Sequence, residues 1–335
     1  MKKIMNKASD FARETVEGIA LAHAGRVAML NDDPQILINA QTVKEGKVGI
    51  VTGGGSGHLP VFLGYVGNGM LDGCAIGNVF ASPSASKMEA MIRAVDKGNG
   101  VLLLYGNYGG DNLNFDMAAE MVDMDDIKTA TVRVADDVAS APNDKRNKRR
   151  GVAGMVYAFK IAGAAAAKGH DLETVQRAAQ KTCDNMRTIG FALSPCIVPE
   201  VGSPTFTIED NIVEVGMGIH GEAGIDTAPM MTADEMADLA LEKIESDLEL
   251  NEGDRVSVMV NGLGATPLEE QYIVFRAIAR RLQNRGIDLY MPHVGEFATS
   301  MEMAGLSVTI LKLDDELAGW LRAPALTPFY TSENK

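Results

Sequence analysis

The sequence predicts an α/β protein of two domains, the first a mainly parallel sheet flanked by helices and the second a smaller mixed α/β unit. Short aliphatic or β-branched runs alternate with helical patterns, which is how parallel α/β architecture reads along a chain. The 335 residues are too many for one ordinary core. Near Met186 the texture changes, and residues 189–215 carry Pro195, Pro199 and Pro204 among extended segments. These observations place the domains at 1–186 and 187–335, with no long linker and no internal repeat.

In the first domain, strands are expected at Val48 to Val51, Gly73 to Ile76, Val101 to Tyr105 and Thr129 to Val134. The Ser82-Pro83 pair sets Pro83 at the first position of a helix through SASKMEAMIRAV, and Asn114 precedes a helix through FDMAAEMVDM. Helices are also expected to end near His23, to run from Val152 to Lys168 before Gly169, and to start again at Asp171 with Val175, Ala178 and Ala179 on one face. In the second domain, FTIEDNIVEVG reads as two strands about an Asp210-Asn211 turn. A capping box from Thr232 to Glu235 opens the next helix. The strand VSVMVNG, a helix Leu268 to Asn284, and strands near Asp288 to His293 and Ser307 to Leu313 follow.

Composition narrows the function classes. Apolar content of 46% with 23% charged residues is that of a soluble globular protein, and no apolar run reaches the length of a membrane span. The N-terminus turns polar where a signal peptide would need its apolar stretch, so a cytoplasmic location is expected. Cys74, Cys183 and Cys196 are odd in number and lack metal-ligand spacing, as reduced core thiols do. A net charge of −14 opposes binding to nucleic acid or to anionic membranes. The basic run KRNKRR, Lys145 to Arg150, reads as a solvated loop before a helix, or alternatively as a docking patch for an acidic partner.

The strongest site signal is TGGGSGH, Thr52 to His58, which sets an imidazole at the rim of four glycines after an apolar strand. A dinucleotide turn would need a sixth-position glycine where His58 or Pro60 stands, and no Gly-Lys-Ser or Gly-Lys-Thr exists for a Walker A loop. A small polar ligand or a tight structural turn remain the two readings. Among the five histidines, His23 and His170 close helices and His293 ends a strand, whereas His220 in GMGIHGEAG lies among Gly216, Gly218, Gly221 and Gly224. So many missing side chains leave room for a molecule against its ring. Asp111, in YGNYGGDNLNFD after the Val101 strand, sits where open parallel sheets bind ligands. It is a candidate general base, and Asp111 or Asn112 is equally a candidate helix cap.

In order, GGGSGH, NYGGDNLNF, GMGIHGEAGID, VNGLGATPLEE and LKLDDE, supported by RRGVAG, CIVP and SPTFTIEDN, resemble the substrate-binding K subunit of dihydroxyacetone kinase nearly end to end. The resemblance implies a homodimer of two-domain α/β chains that binds a short-chain ketose and holds no nucleotide or metal itself. Mg-ATP, or ADP and ATP, belong to an L-type partner subunit, and a phosphotransferase-system relay protein is a further possible partner. It implies that His220 attacks the ketone and holds it as a covalent hemiaminal. Asp111 and His58 act as the acid/base pair, and Gly55, Ser56 and Gly57 contact the substrate.

One position departs from the family pattern. Several members have lysine after the central strand, where this chain has Gly106, which widens the pocket or alters the partner surface and makes erythrulose an alternative to dihydroxyacetone. Two other functions stay in view. A coactivator homologue would need chiefly His220, so retention of His58 and Asp111 favours the kinase. A nicotinamide-dependent oxidoreductase lacks its fingerprint.

Overall fold

The computed structural model describes residues 2–221, 224 and 226–333, so Glu222, Ala223 and Ile225 of the GMGIHGEAGID motif lie outside the described residues. In chain order the elements are α1 (Phe11–Ala22), β1 (Val27–Leu30), β2 (Asp33–Asn39), β3 (Gly49–Ser56), β4 (Gly73–Val79), α2 (Ala85–Val95), β5 (Val101–Gly106), α3 (Gly109–Asp123) and β6 (Thr129–Val134). Then come α4 (Met155–Ala167), α5 (Leu172–Asp184), β7 (Met186–Ala192), β8 (Ile212–Val215), β9 (Asp226–Pro229), α6 (Ala233–Glu245), β10 (Arg255–Gly262) and α7 (Leu268–Asn284). The chain closes with β11 (Asp288–Leu289), β12 (His293–Gly295), β13 (Gly305–Leu313), α8 (Asp315–Arg322), β14 (Ala325–Leu326) and β15 (Thr331–Ser332).

Two compact units share these elements. The first takes Lys2–Val134, Met155–Thr182 and the chain from Gly319 onward; the second takes Ala135–Gly154 and Cys183–Ala318. The main division, between Thr182 and Cys183, lies close to residue 186, but a single cut there does not describe the units. Residues 135–154 and the C-terminal segment each pack with the half of the chain that a linear reading assigns to the other side.

In the first unit the sheet order is β1-β2-β4-β3-β5-β6. Strands β4, β3, β5 and β6 run parallel, and β1 and β2 form an antiparallel edge. Side chains alternate faces along a strand, so Val51, Ala75, Leu103 and Tyr105 meet Met88, Met91 and Ile92 of α2 and Phe115, Ala118 and Val122 of α3. The alanine-rich α4, buried along nearly its whole length, contacts β3 and β5.

The second unit is a seven-stranded mixed sheet, β11-β10-β13-β7-β8-β9 with β12 also paired to β10. Its core sets Ile189, Val213, Val258, Val260, Val308 and Ile310 against Ala237, Ala240, Leu241 and Ile244 of α6 and Val274, Ala277 and Ile278 of α7. The capping box forms: Thr232 Oγ1 accepts from the Glu235 amide at 3.3 Å while Glu235 Oε2 accepts from the Thr232 amide at 2.7 Å. Among the described residues no helix is long and apolar enough to cross a membrane.

Five local expectations need correction. The glycines of TGGGS do not form a loop; they continue β3 through Ser56, every residue buried. Pro83 stays outside α2, whose N-cap is Ser84. Helix α3 starts at Gly109, so Asn114 lies inside it, where its side-chain Nδ2 donates to the Pro83 carbonyl at 2.8 Å. FTIEDN contributes no strand: only Ile212–Val215 is extended, and it pairs with β7 and β9. Helix α4 begins at Met155 instead of Val152, because the Asp136 carboxylate draws in the amides of Val152 and Gly154, each at 2.8 Å.

The basic run is also not a uniformly solvated loop. Arg149 is 2% exposed and meets the buried Asp247 carboxylate at 2.5 Å, as does Arg146, and Arg187 completes the cluster on the same carboxylate. Burial pushes Asp247 up, but the hydrogen bonds from Arg149 and Arg187 outweigh it and leave the carboxyl below its ordinary range.

Candidate active site

Strand β3 delivers Ser56, Gly57 and His58 to the carboxyl end of the parallel sheet. Glycine is required along the way because neighbours occupy the space a side chain would fill: a Cβ at Gly55 would lie 2.7 Å from the Phe80 and Ala81 backbone. Ser56 Oγ donates to the Gly77 carbonyl at 2.7 Å, and the chain then turns at Gly57, whose φ of +100° excludes most side chains. His58, 1% exposed, follows directly. Its ring stacks on Phe80 (centroids 4.9 Å apart, 16° between planes) and meets Phe62 edge-on at 6.0 Å. Phe62 and Phe80 both have positive φ, +73° and +60°, so backbone strain of about 1 kcal/mol or more each is tolerated to bring these rings against the imidazole.

Asp111 stands in the first turn of α3 and is 4% exposed. Neither it nor Asn112 caps the helix; the N-cap is Tyr108, without a side-chain bond. Burial raises the Asp111 carboxyl to about 6, although a hydrogen bond with Ser82 pulls the other way, and its Oδ1 has no hydrogen-bond partner among the described residues. A carboxylate so placed is ionised at neutral pH yet basic enough to take a proton. His58 and Asp111 are linked through one segment: His58 stacks on Phe80, and Asp111 bonds Ser82 two residues on. Gly106 ends β5, the strand before α3. A Cβ at Gly106 would lie 3.0 Å from the Tyr108 ring and 3.1 Å from Met155 Sδ.

His220 belongs to the second unit, in the stretch between β8 and β9. It is half-buried, and burial, reinforced by the positive charge of Arg150, lowers its pKa to about 4. Its imidazole is therefore neutral at pH 7 with a lone pair to give. Gly221 beside it has φ +72° and packs where a Cβ would be 3.0 Å from Cys196 Sγ and Thr205. Arg150 is held by Asp137 at 2.8 Å and by the Gly216 carbonyl at 2.9 Å.

The remaining histidines meet aromatic rings. His23 is the C-cap residue of α1 and lies 5.9 Å from the Phe329 ring. His170 meets Trp320 edge-on at 5.3 Å, and His293, in β12, meets Phe297 at 5.6 Å. Of the expected site residues, Gly55, Ser56, Gly57, His58, Gly106 and Asp111 fall in the first unit and His220 in the second. Sequence reasoning missed Phe80 and Ser82, which offer no motif, and Arg150 and Asp137, whose nearest signal is the RRGVAG segment.

A parallel sheet that presents a packed histidine and a carboxylate of raised pKa near its carboxyl ends has the layout of an α/β small-molecule enzyme component. Comparison with known proteins is more specific: the Dak1 domain matches residues 17–329, and the chain belongs to that family. It is 46% identical over 316 residues to the dihydroxyacetone-binding subunit DhaK of PTS-dependent dihydroxyacetone kinase 1 from Listeria innocua, covering 94% of this chain and 95% of that protein. It is 42% identical to the L-erythrulose kinase of Pectobacterium atrosepticum, covering 98% of this chain but 56% of that longer protein. Among solved structures it matches the dihydroxyacetone kinase of C. freundii with a TM-score of 0.90 at 33% identity, over 99% of this chain and 60% of that one.

Proposed function

We propose that this chain is the ketose-binding subunit of a kinase acting on dihydroxyacetone or a related short-chain ketose such as erythrulose. The observation that carries the reading is His220: an imidazole held neutral beside a fixed positive charge, among Gly216, Gly218 and Gly221. Its ring nitrogen adds to the ketone carbon, the carbonyl electron pair moves to oxygen, and the other ring nitrogen loses its proton as that oxygen gains one. The product is a hemiaminal, with no leaving group. Glycerol is excluded because it has no carbonyl.

Covalent capture orients a molecule too small to be gripped by many contacts. Asp111 then accepts the proton of the attacking hydroxyl, and His58, held between Phe80 and Phe62, assists proton movement at the hemiaminal oxygen or the hydroxyl. Gly55, Ser56 and Gly57 bring backbone close to the substrate. The phosphoryl group comes from a Mg-nucleotide on an L-type partner subunit; a phosphotransferase relay that recharges it is supported by the "PTS-dependent" name of the Listeria relative. A cytoplasmic homodimer is part of the same proposal.

The test is intact-mass spectrometry after soaking with dihydroxyacetone. Wild type should gain the mass of one ketose and His220→Ala should gain none while remaining folded; full adduct on His220→Ala refutes the assigned nucleophile. Capture that persists in the reconstituted system with no phosphorylated product would favour the coactivator reading.

A further inference from the structure

We infer that Arg150, braced by Asp137, is the positioning residue for the His220 nucleophile: it clamps the start of the segment that carries the imidazole. The inference rests on the capture reading above and adds to it what holds the nucleophile in place. Gly216, immediately after β8, opens that segment with φ +79°. Its amide donates to the Gly190 carbonyl of β7 at 2.8 Å, and its carbonyl accepts from Arg150 Nη2 at 2.9 Å. The peptide groups on either side of Gly216 are thereby fixed, one by the sheet and one by the guanidinium.

Arg150 is itself immobilised. Its Nε and Nη2 both reach Asp137 Oδ2, at 3.0 and 2.8 Å, and the Asp137 side chain is 1% exposed. Asp137 Oδ1 accepts from the Ala139 amide at 3.1 Å, the Asp137 amide donates to the Arg150 carbonyl at 3.2 Å, and the Val138 amide donates to Thr188 of β7 at 3.0 Å. Three chain segments, at 137, 150 and 216, converge on one guanidinium. A planar fork suits this task, because it can face a carboxylate and a carbonyl at fixed angles where an ammonium cannot.

The adjacent Arg149 shows what a purely structural arginine does in the same run. It turns to Asp247 and the Ala141 carbonyl. Arg150 instead lends its charge to the ring. Addition of the imidazole to a ketone passes through a cationic ring, and a fixed cation nearby disfavours resting protonation and speeds loss of the ring proton once the carbon–nitrogen bond has formed. Glu214, whose Oε2 accepts from the Gly224 amide at 3.0 Å, is another charged group bonded to this segment.

The experiment combines histidine-labelled NMR titration of the chain with adduct mass at subsaturating dihydroxyacetone. In Arg150→Gln the His220 midpoint should rise by about one pH unit and adduct should fall about tenfold. Arg150→Lys should keep the wild-type midpoint, since the charge remains, yet recover only part of the adduct, since the fork is lost. A folded Arg150→Gln protein with both readouts unchanged overturns the inference. If that variant does not fold, a wild-type adduct level in Arg150→Lys overturns it. If wild type forms no adduct at all, the capture reading falls, and the Arg150→Gln or Arg150→Lys titration alone still decides the role of Arg150: an unmoved midpoint in Arg150→Gln, or a midpoint shifted in Arg150→Lys, counts against it.

Discussion

His58 and His220 are built by opposite means. His58 is fixed by bulk: a stacked phenyl ring, an edge-on phenyl ring and a glycine strand whose space is taken up by neighbours. His220 lies between glycine turns at 216 and 221, in a segment whose Gly216 carbonyl is clamped by Arg150. A group that only relays protons tolerates tight packing, because nothing larger than a proton moves at its nitrogen. A nucleophile that forms a bond to carbon needs empty volume on one side and a firm hold on the other. The contrast fits the two roles proposed for these histidines.

The sharpest way to break it is Asp111→Asn. The amide cannot take a hydroxyl proton, so phosphorylation by the reconstituted system should drop about 10²–10⁴-fold while ketose adduct on His220 persists at the wild-type level. Loss of adduct in this variant would show that the two regions do not divide capture from proton transfer.

Acidity gives the next largest effect. As pH falls, Asp111 gains a proton near 6 and ceases to be a base, whereas His220 keeps its lone pair until near 4. Turnover should therefore decline about tenfold per unit below 6, with adduct formation nearly flat down to about pH 5. A pH series that reads product and adduct on the same samples checks this; coincident profiles for both would contradict it.

A smaller effect sharpens the packing side of the contrast. Gly55→Ala forces a methyl against the Phe80 backbone and should cost about 1–3 kcal/mol in denaturant unfolding. Gly109→Ala, with nothing within 4 Å of the new methyl, should cost nothing or gain about 0.4–1 kcal/mol. Equal destabilisation by both substitutions would mean that the glycine strand is not sterically committed.

Much of this was legible in the sequence, for identifiable reasons. Helix α7 matches Leu268 to Asn284 as read, because its apolar spacing is regular, and the Thr232 capping box is a local motif that needs no tertiary help. The α3 start was misplaced because Gly109 and Gly110 mimic a loop, while the actual neighbour of Gly110 is Ser82, whose Oγ would sit 2.6 Å from a Cβ. The basic run misled for the opposite reason: charge density suggested solvent, and only the fold brings Asp247 across 98 residues to bury Arg149. Residues that act through contacts distant in sequence, such as Phe80 on His58, leave no spacing to read.

The glycine strand has a bearing on how this protein could change. From Gly53 to Gly55 the places a side chain could grow are already occupied, by the Phe115 ring at Gly53 and by the Phe80 and Ala81 backbone at Gly55. Variation that alters substrate choice has no foothold there. An engineer seeking activity on larger carbonyl compounds would do better to randomise the segment from Phe80 to Ser84 and the surroundings of Gly106, where Tyr108 and Met155 present side chains that can be trimmed.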